Sequence, residues 1–546
     1  MDKKQTIVIT TLSLIILVLI LLISGRIWTR IDLTENKSWT ISPVSKQLAD
    51  EMTDEVRITY FVTDKLKQLY GFPGEIKDLI TEYVSFSQGK ISYAERDPAK
   101  FGLVEKMEEL GIPAQELQVI EKDQASFSNF YTGILIEYQD KQEVLPFVYR
   151  LDTLEYDITN RIRSLIREKE RTLGIIIGDV NNAFNTDNQY QNFQRTLTQA
   201  GYRVRTIPVG DEIPDTLNML FVIGNANTFD DWALYRIDRY IQLGGKVFFA
   251  VRSVTVSAAA NFLASDMEGT QLLEMLKSYG VEIQPALALD PASLNMIGPP
   301  AAGRGGLRTL MRYPFFVHVL EKNANTGHPI TSVFGGLDLY WPSPITIKPQ
   351  ENVETTWLFT TTEEAWLQES EFIVDPQMAL RFGENADTSR GVKQLGVTMN
   401  GTFPSYWRTL SRPVRENSDE TLPDLPAEPS PARLVVVGNA EFLMGNVDFV
   451  SNRFTQTQPN LDFAVLAADW LSNDDDIISI RNRTPATPLL DKIIDDAERA
   501  AAFGFARLLN LVFIPLVVLT AGVLLSWRRK KAAARFQAVK EDQDAV

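Results

Sequence analysis

LGIIIG, residues 173–178, is a short continuous apolar run, as expected of a strand buried on both faces of a sheet. The chain after it alternates in kind. Residues 189–200 read as a helix, with Tyr190, Phe193 and Leu197 on one side and Gly201 as its stop. Residues 204–207 and 217–223 read as strands, 230–243 as a helix ended by Gly244-Gly245, and 246–251 as another strand. Strands alternating with helices predict a parallel sheet with helices on both faces.

Upstream, Ser42-Pro43 is a helix start, with Ser as the cap and Pro at the first helical position. Residues 56–63, VRITYFVT, alternate apolar and polar and predict a strand. Residues 75–86 place Ile76, Leu79, Ile80, Tyr83 and Val84 on one helical face. A strand at 90–95, a helix around 103–110 stopped by Gly111, and strands at 132–138 and 143–148 follow. This β-α-β-α-β-β order resembles a thioredoxin-like fold. The redox chemistry of that fold is excluded, because the chain has no cysteine. A helix over about 154–167 leads into LGIIIG.

Downstream, residues 284–415 hold many turns and no long helix. Residues 416–431, ENSDETLPDLPAEPSP, read as an exposed acidic linker. Regular structure returns with the strand RLVVV at 433–437 and then Gly438-Asn439-Ala440-Glu441-Phe442. Leu461, Val465, Leu466 and Trp470 share a helical face that residues 473–476 end.

Both ends carry uncharged apolar stretches. Residues 508–527, LLNLVFIPLVVLTAGVLLSW, are followed at once by Arg528-Arg529-Lys530-Lys531. A helix of that length covers roughly 30 Å, and the basic run behind it reads as a cytoplasmic stop. Residues 6–23, TIVITTLSLIILVLILLI, sit at the short end of a membrane span, with Lys3 and Lys4 before them. A signal peptide is the rival reading. No small-x-small cleavage site follows, so an uncleaved anchor is expected. Two spans put both termini on the cytoplasmic side and everything between them outside the inner membrane.

Five segments taken in order resemble the GldG family, auxiliary components of ABC-type transport systems first associated with gliding motility. They are Asp32-Leu33-Thr34 through Ser42-Pro43, the GNAEF run at 438–442, NLDFAVLAADWL at 460–471, ISIR at 478–481, and the final helix with its basic end at 508–531. The resemblance implies a glutamine-amidotransferase-like domain around LGIIIG. It also implies a partner permease of the ABC-2 type and a separate P-loop ATPase. The expected fold class is α/β: two membrane-anchoring terminal helices flank a thioredoxin-like domain and an amidotransferase-like parallel-sheet domain with a β-rich insertion. The expected divisions are a cytoplasmic tail at 1–5, a span at 6–23, the thioredoxin-like domain at 24–168, and the α/β domain at 169–285. A turn-rich insertion with the acidic linker follows at 286–431. The α/β domain closes at 432–485, a juxtamembrane segment runs over 486–507, a span over 508–527, and a cytoplasmic tail over 528–546.

Composition narrows the chemistry. The tails 1–5 and 528–546 carry +1 and +3 of a formal net charge of −16, which leaves −20 between them. Such a region repels nucleic acid and anionic headgroups. His318 and His328 are the two histidines, too few for a histidine metal site, and the absence of cysteine excludes an amidotransferase's cysteine–histidine pair. There is no G-x-x-x-x-G-K-[ST], G-x-S-x-G or H-E-x-x-H. Gly303-Arg304-Gly305-Gly306 is not followed by a Lys-Ser/Thr pair and reads as a loop. Asp474-Asp475-Asp476 offers carboxylates to a divalent cation or simply ends a helix. Asp179, Asn181 and Asn185 follow a strand where open α/β sheets place ligands, though their spacing misses the calcium-loop glycine. Arg481 and Arg483 are solvated charges or partner contacts.

No catalytic, cofactor-binding or metal residue is assigned and no cofactor is expected. The first reading is a non-enzymatic, membrane-anchored auxiliary transport subunit. The alternatives are an extracytoplasmic solute receptor with its ligand in the α/β cleft, and a carboxylate-based hydrolase of cell-wall sugars, for which no motif speaks.

Overall fold

Ser42 starts the first helix among the described residues, α1 (Pro43–Glu51), as its sequence demands: the Ser42 Oγ accepts from the Ser45 N–H at 3.0 Å, and Pro43 has no N–H to leave unpaired. The computed structural model describes residues 41–472 apart from 122–123, 150, 152, 167–170, 179–188, 258–261, 268, 298–310, 333, 384–388, 416–420 and 445–456, together with parts of 504–527. The chain divides into two compact units, Met1–Pro485 and Ala486–Val546.

After α1 come β1 (Val56–Val62), α2 (Asp64–Leu69), α3 (Phe72–Phe86), β2 (Ile91–Arg96) and α4 (Val104–Glu109). A hairpin of β3 (Gln115–Glu121) and β4 (Gln124–Phe130) precedes β5 (Thr132–Tyr138) and β6 (Lys141–Leu145), and α5 (Leu154–Ile166) follows. The sheet order is β2-β1-β5-β6. β1 and β2 run parallel, and β5 runs antiparallel to β1 and β6. Ile58, Tyr60 and Val62 of β1 pack with Ile76 and Ile80 of α3 and with Ile158 and Ile162 of α5. The β3–β4 hairpin is absent from the sequence expectation. Among the described residues its strands pair only with each other, so they lack the sheet neighbours that impose a period-2 pattern.

The second sheet begins with β7 (Thr172–Ile177), α6 (Gln191–Gln199), β8 (Arg203–Thr206), β9 (Met219–Asn225), α7 (Asp231–Gln242) and β10 (Val247–Arg252). Asp230 caps α7 by accepting from the Ala233 N–H at 2.8 Å. A β11 (Val254–Ser257) and β12 (Leu263–Asp266) hairpin, α8 (Gln271–Tyr279) and β13 (Val281–Ile283) come next. Then come β14 (Leu287–Leu289), β15 (Leu294–Ile297), β16 (Met311–Val319), β17 (Leu337–Tyr340), β18 (Ile345–Ile347), β19 (Val353–Thr360), β20 (Trp366–Gln368) and β21 (Gln394–Gly401). β22 (Ala432–Val437) and α9 (Thr457–Leu471) close the series.

The large sheet is ordered β13-β18-β21-β22-β10-β9-β7-β8, with β19 also on β21. It is parallel from β8 to β22 and antiparallel beyond. β9 and β10 are buried along their whole length, as the apolar runs that precede their polar last residues, Asn225 and Arg252, require. One face packs Phe221, Phe248 and Val435 against α6 and α9; the other packs Leu220, Phe249 and Val436 against α7 and α8. The turn-rich stretch after 284 contributes β18, β19 and β21 to this sheet. Their short connections return the chain antiparallel, which a βαβ crossover would not do. An aromatic cluster of Tyr313, Phe315, Phe316, Tyr340 and Trp341 holds β16 and β17 together beside it. The fold is mixed α/β, with parallel and antiparallel sheets.

Residues 421–431 are mostly exposed, as their acidic, proline-rich composition implies, but they are fastened to the body. Leu422 is buried beside Trp407, the Tyr235 hydroxyl donates to the Pro423 carbonyl at 2.9 Å, and the Ser430 N–H donates to the Gln242 carbonyl at 2.9 Å. Exposure and attachment coexist because arginines line the path and reach the segment's carbonyls.

In the second unit the described residues between 504 and 527 are helical, with a π-helical turn at Leu509–Phe513, and Leu511, Phe513, Leu519 and Val523 are largely exposed. Among the described residues no helix is long and apolar enough to cross a membrane. The expected span at 6–23 lies outside the described residues, and that at 508–527 is described only in part.

Gly438 sits where only hydrogen fits. A Cβ there would collide with the Ser343 carbonyl oxygen, and that residue's N–H donates to the Gly438 carbonyl at 2.7 Å. Gly438→Ala is expected to cost about 1–3 kcal/mol of stability, because backbone must move. Gly335→Ala meets open space and serves as the control in the same melting experiment. Equal melting temperatures for the two variants would refute the clash.

Candidate functional site

The parallel part of the large sheet reverses direction between β7 and β9: the chain leaves β7 for β8 on one side, then returns to β9 on the other. Open α/β sheets bind ligands at the carboxyl ends of their strands at such a switch point. Here Gly178 and Gly224 meet. A Cβ on Gly224, whose φ is +145°, would lie 3.1–3.2 Å from the Gly178 backbone. Two glycines therefore let the ends of β7 and β9 close on each other.

Next to this contact lies a buried ion pair. Arg252, the last residue of β10, is 1% exposed and pairs with Glu441, which follows β22. The Arg252 Nε donates to the Asn225 Oδ1 at 2.6 Å, fastening the end of β9. The other Glu441 oxygen accepts from the Asn439 Nδ2 at 2.9 Å. Burial pushes the Glu441 carboxyl up, and the Arg252 charge opposes that shift. Tyr190, from the segment ahead of α6, donates its hydroxyl to the Ala440 carbonyl at 3.2 Å. Both carboxylate oxygens are engaged by protein donors, so this arrangement is built to fix four strand ends in place.

Two asparagines extend the junction to β17. One edge of β17 pairs with β16. On its other edge, Asn460 of α9 reads Asp338 like a neighbouring strand: its Oδ1 accepts from the Asp338 N–H at 2.9 Å and its Nδ2 donates to the Asp338 carbonyl at 3.0 Å. Asn439 does the same two residues on, accepting from the Tyr340 N–H at 3.4 Å and donating to the Tyr340 carbonyl. Asn460 also donates to the Phe442 carbonyl at 2.8 Å, and Asn439 accepts from the Phe442 N–H at 3.0 Å. Side-chain amides thus blunt a free strand edge. These residues belong to the GNAEF and NLDF runs singled out in the sequence.

A second buried pair lies at the amino end of β7. The Arg171 Nη2 donates to the Asp469 Oδ1 at 2.9 Å, and the Tyr202 and Tyr156 hydroxyls donate to the same carboxylate at 2.7 and 2.6 Å. The Arg171 Nη1 donates to the Asn160 Oδ1 at 3.0 Å. Tyr156 and Asn160 sit on α5, so the network ties the layer of the first sheet to α9 and the second sheet.

The structure also places the residues weighed from sequence. Asp179, Asn181, Asn185, Gly303 to Gly306, Asp474 to Asp476, Arg481 and Arg483 lie outside the described residues. His318, on β16, contacts the Asp338 Oδ1 through its Nδ1 at 2.6 Å, a polar partner its apolar sequence neighbours did not announce. His328 caps a 3₁₀ turn, its Nδ1 accepting from the Ile330 N–H at 3.2 Å, while its Nε2 lies 3.2 Å from the Thr398 Oγ1. Sequence reasoning left Arg252, Asp469, Arg171 and Asn225 unmarked. The available signal was a charged residue ending the all-apolar run VFFAV, and it does not name its partner.

Burial first, and the Arg433 charge second, push the His328 imidazole down to about 4. Its unfolded value is near 6.5. Between these values the unfolded chain binds the extra proton, so this contribution is complete above pH 6.5 and is lost as pH falls toward 4. Wild type should lose about 2 kcal/mol more than His328→Asn between pH 7 and 4.5 in paired melting curves. Parallel pH profiles would contradict it.

Residues 170–467, just over half of the chain, match the family model described as "ABC-type uncharacterized transport system". Residues 35–137 match a domain of unknown function, DUF7088. An uncharacterized protein of Borreliella burgdorferi is 23% identical over 539 residues, covering 97% of this chain and 99% of that protein. Two solved structures show likenesses too distant to carry a fold argument. The mmIFT52 N-terminal domain has a TM-score of 0.30 at 10% identity, covering 55% of this chain and 96% of that one. A ThuA-like protein of Parabacteroides merdae has a TM-score of 0.28 at 11% identity, covering 56% and 91%. The family match spans the parallel sheet, the Arg252–Glu441 pair and the asparagine clips, and by it the chain belongs to the auxiliary-component family of ABC-type transport systems.

Proposed function

We propose that this chain is the membrane-anchored, non-enzymatic auxiliary subunit of an ABC-type transport complex, holding a large extracytoplasmic body beside an ABC-2-type permease driven by a separate ATPase. The family match over 170–467 carries this reading. Membrane anchoring is supported by the uncharged stretches 6–23 and 508–527. The Arg528-Arg529-Lys530-Lys531 run supports cytoplasmic termini and an inner-membrane location. The five GldG-like segments support the permease partner. The same segments support a partner ATPase, and this sequence holds no P-loop motif of its own.

The sheet order β2-β1-β5-β6 with β5 antiparallel supports a thioredoxin-like first domain, and the parallel run β8-β7-β9-β10-β22 supports an amidotransferase-like second one. A carboxylate held on both oxygens, as Glu441 is, supports a body that positions partners rather than one that turns over substrate.

The test is purification of the tagged full-length chain in mild detergent, with co-purifying proteins identified. A P-loop ATPase and a multi-span permease in fixed ratio are the expected result. Recovery of the chain alone, monodisperse, would overturn the reading. One-to-one saturable stabilisation of that lone chain by a solute would put the receptor alternative in its place.

A further inference from the structure

The chain is strongly acidic, yet one groove gathers arginines. It runs between α7 and residues 403–412, and residues 421–427, TLPDLPA, lie along it. Five of that segment's carbonyl groups are read by side chains. The Arg412 Nη1 donates to the Leu422 carbonyl at 3.1 Å and the Tyr235 hydroxyl to the Pro423 carbonyl at 2.9 Å. The Arg239 Nε donates to the Asp424 carbonyl at 3.1 Å. The Arg408 Nη2 donates to the Pro426 and Ala427 carbonyls at 3.4 and 3.2 Å. The Asp424 carboxylate pairs with Arg412. Leu422 is the anchor: it is 2% exposed, in the cluster that holds Tyr235, Phe403 and Trp407, with Leu425 packed beside it. Tyr235 and Trp407 rings lie 6.0 Å apart, and Tyr406 and Trp407 rings 5.6 Å apart.

The segment contributes no strand to any sheet. Its fastening is long side chains on carbonyls, an aromatic slot for one leucine, and a guanidinium for one acid. Its outer face is open, with the Asp424 side chain 85% exposed. Domains that recognise extended proline-containing peptides use the same means: aromatic slots and side-chain donors meeting a backbone that brings few N–H groups of its own.

We propose that this groove is a peptide-recognition site for an extended, acidic, proline-containing segment with a leucine anchor. In the structure it is filled in cis by residues 421–427, and a partner polypeptide of the same chemistry exchanges with that strap. Charge complementarity selects the occupant: Arg239, Arg408 and Arg412 face it from both walls, and the acidic remainder of the chain offers such a peptide little else to bind. Cis occupancy gives the strap a high effective concentration, so a partner gains entry when the strap is weakened or when its own segment is tethered close by.

The experiment uses the full-length chain and a fluorescent synthetic peptide of residues 420–429, ETLPDLPAEP. Wild type, Asp424→Ala and Leu422→Ala/Asp424→Ala are titrated, and the double variant is also combined with Arg408→Ala/Arg412→Ala. The strap-weakened chains should bind saturably, the double variant at least about tenfold more tightly than wild type, with binding weakened by salt and abolished by the arginine replacements. Asp424 is exposed, so the single variant keeps the question answerable if the double variant does not fold. Absence of saturable binding to a cooperatively melting strap-weakened chain overturns the proposal. Equal binding of a scrambled peptide of the same charge does so too.

Discussion

Arg252→Met is expected to destabilise the full-length chain by about 3–5 kcal/mol, among the largest single-residue effects in the molecule. Arg252 and Glu441 are both almost wholly buried, and desolvation already pushes the Glu441 carboxyl up. Removing the guanidinium leaves that carboxyl without its countercharge and releases the Asn225 amide that fastens β9. The pair itself need not be stabilising relative to an apolar filling, since desolvating two charges costs about what their attraction returns. The double variant Arg252→Met/Glu441→Leu should therefore recover most of the loss. Urea unfolding followed by tryptophan fluorescence measures both. If the double variant were as unstable as the single one, the damage would come from lost packing rather than from a stranded charge.

Asp469→Ala should cost a similar amount, about 3–5 kcal/mol, for the complementary reason. One carboxylate accepts from Arg171, Tyr202 and Tyr156, so its removal takes the countercharge from a buried cation and an acceptor from two hydroxyls at once. Asp469→Asn keeps an acceptor without the charge and should fall between wild type and the alanine variant. Because Tyr156 belongs to α5, the loss should also loosen the join between the two sheets. Amide exchange should then speed up in α5 and α9 together, ahead of β9 and β10. Faster exchange spread evenly over the chain would argue against a local join.

Much of the secondary structure was legible in the sequence because burial leaves a period. The apolar runs LGIIIG and VFFAV became β7 and β10 of the parallel sheet. The spacing of Ile76, Ile80 and Tyr83 became the buried face of α3, and Ser42-Pro43 became a capped helix start. The run at 438–442 was visible as a motif, but its reason was not: Gly438 yields to the Ser343 carbonyl, Asn439 clips β17, and Glu441 meets Arg252.

By itself the sequence determined most of the strands and helices before residue 284 and what chemistry is missing. A cysteine-free, histidine-poor chain without a P-loop is told by composition, and periodicity needs only neighbours a few residues apart. The tertiary structure alone decided which strands after 284 enter the large sheet, that an acidic proline-rich stretch lies in a groove of arginines, and that Arg252 finds Glu441 and Arg171 finds Asp469. Those outcomes depend on partners distant in the chain, and a charge, an amide or a carbonyl carries no mark in sequence of the group that will desolvate with it.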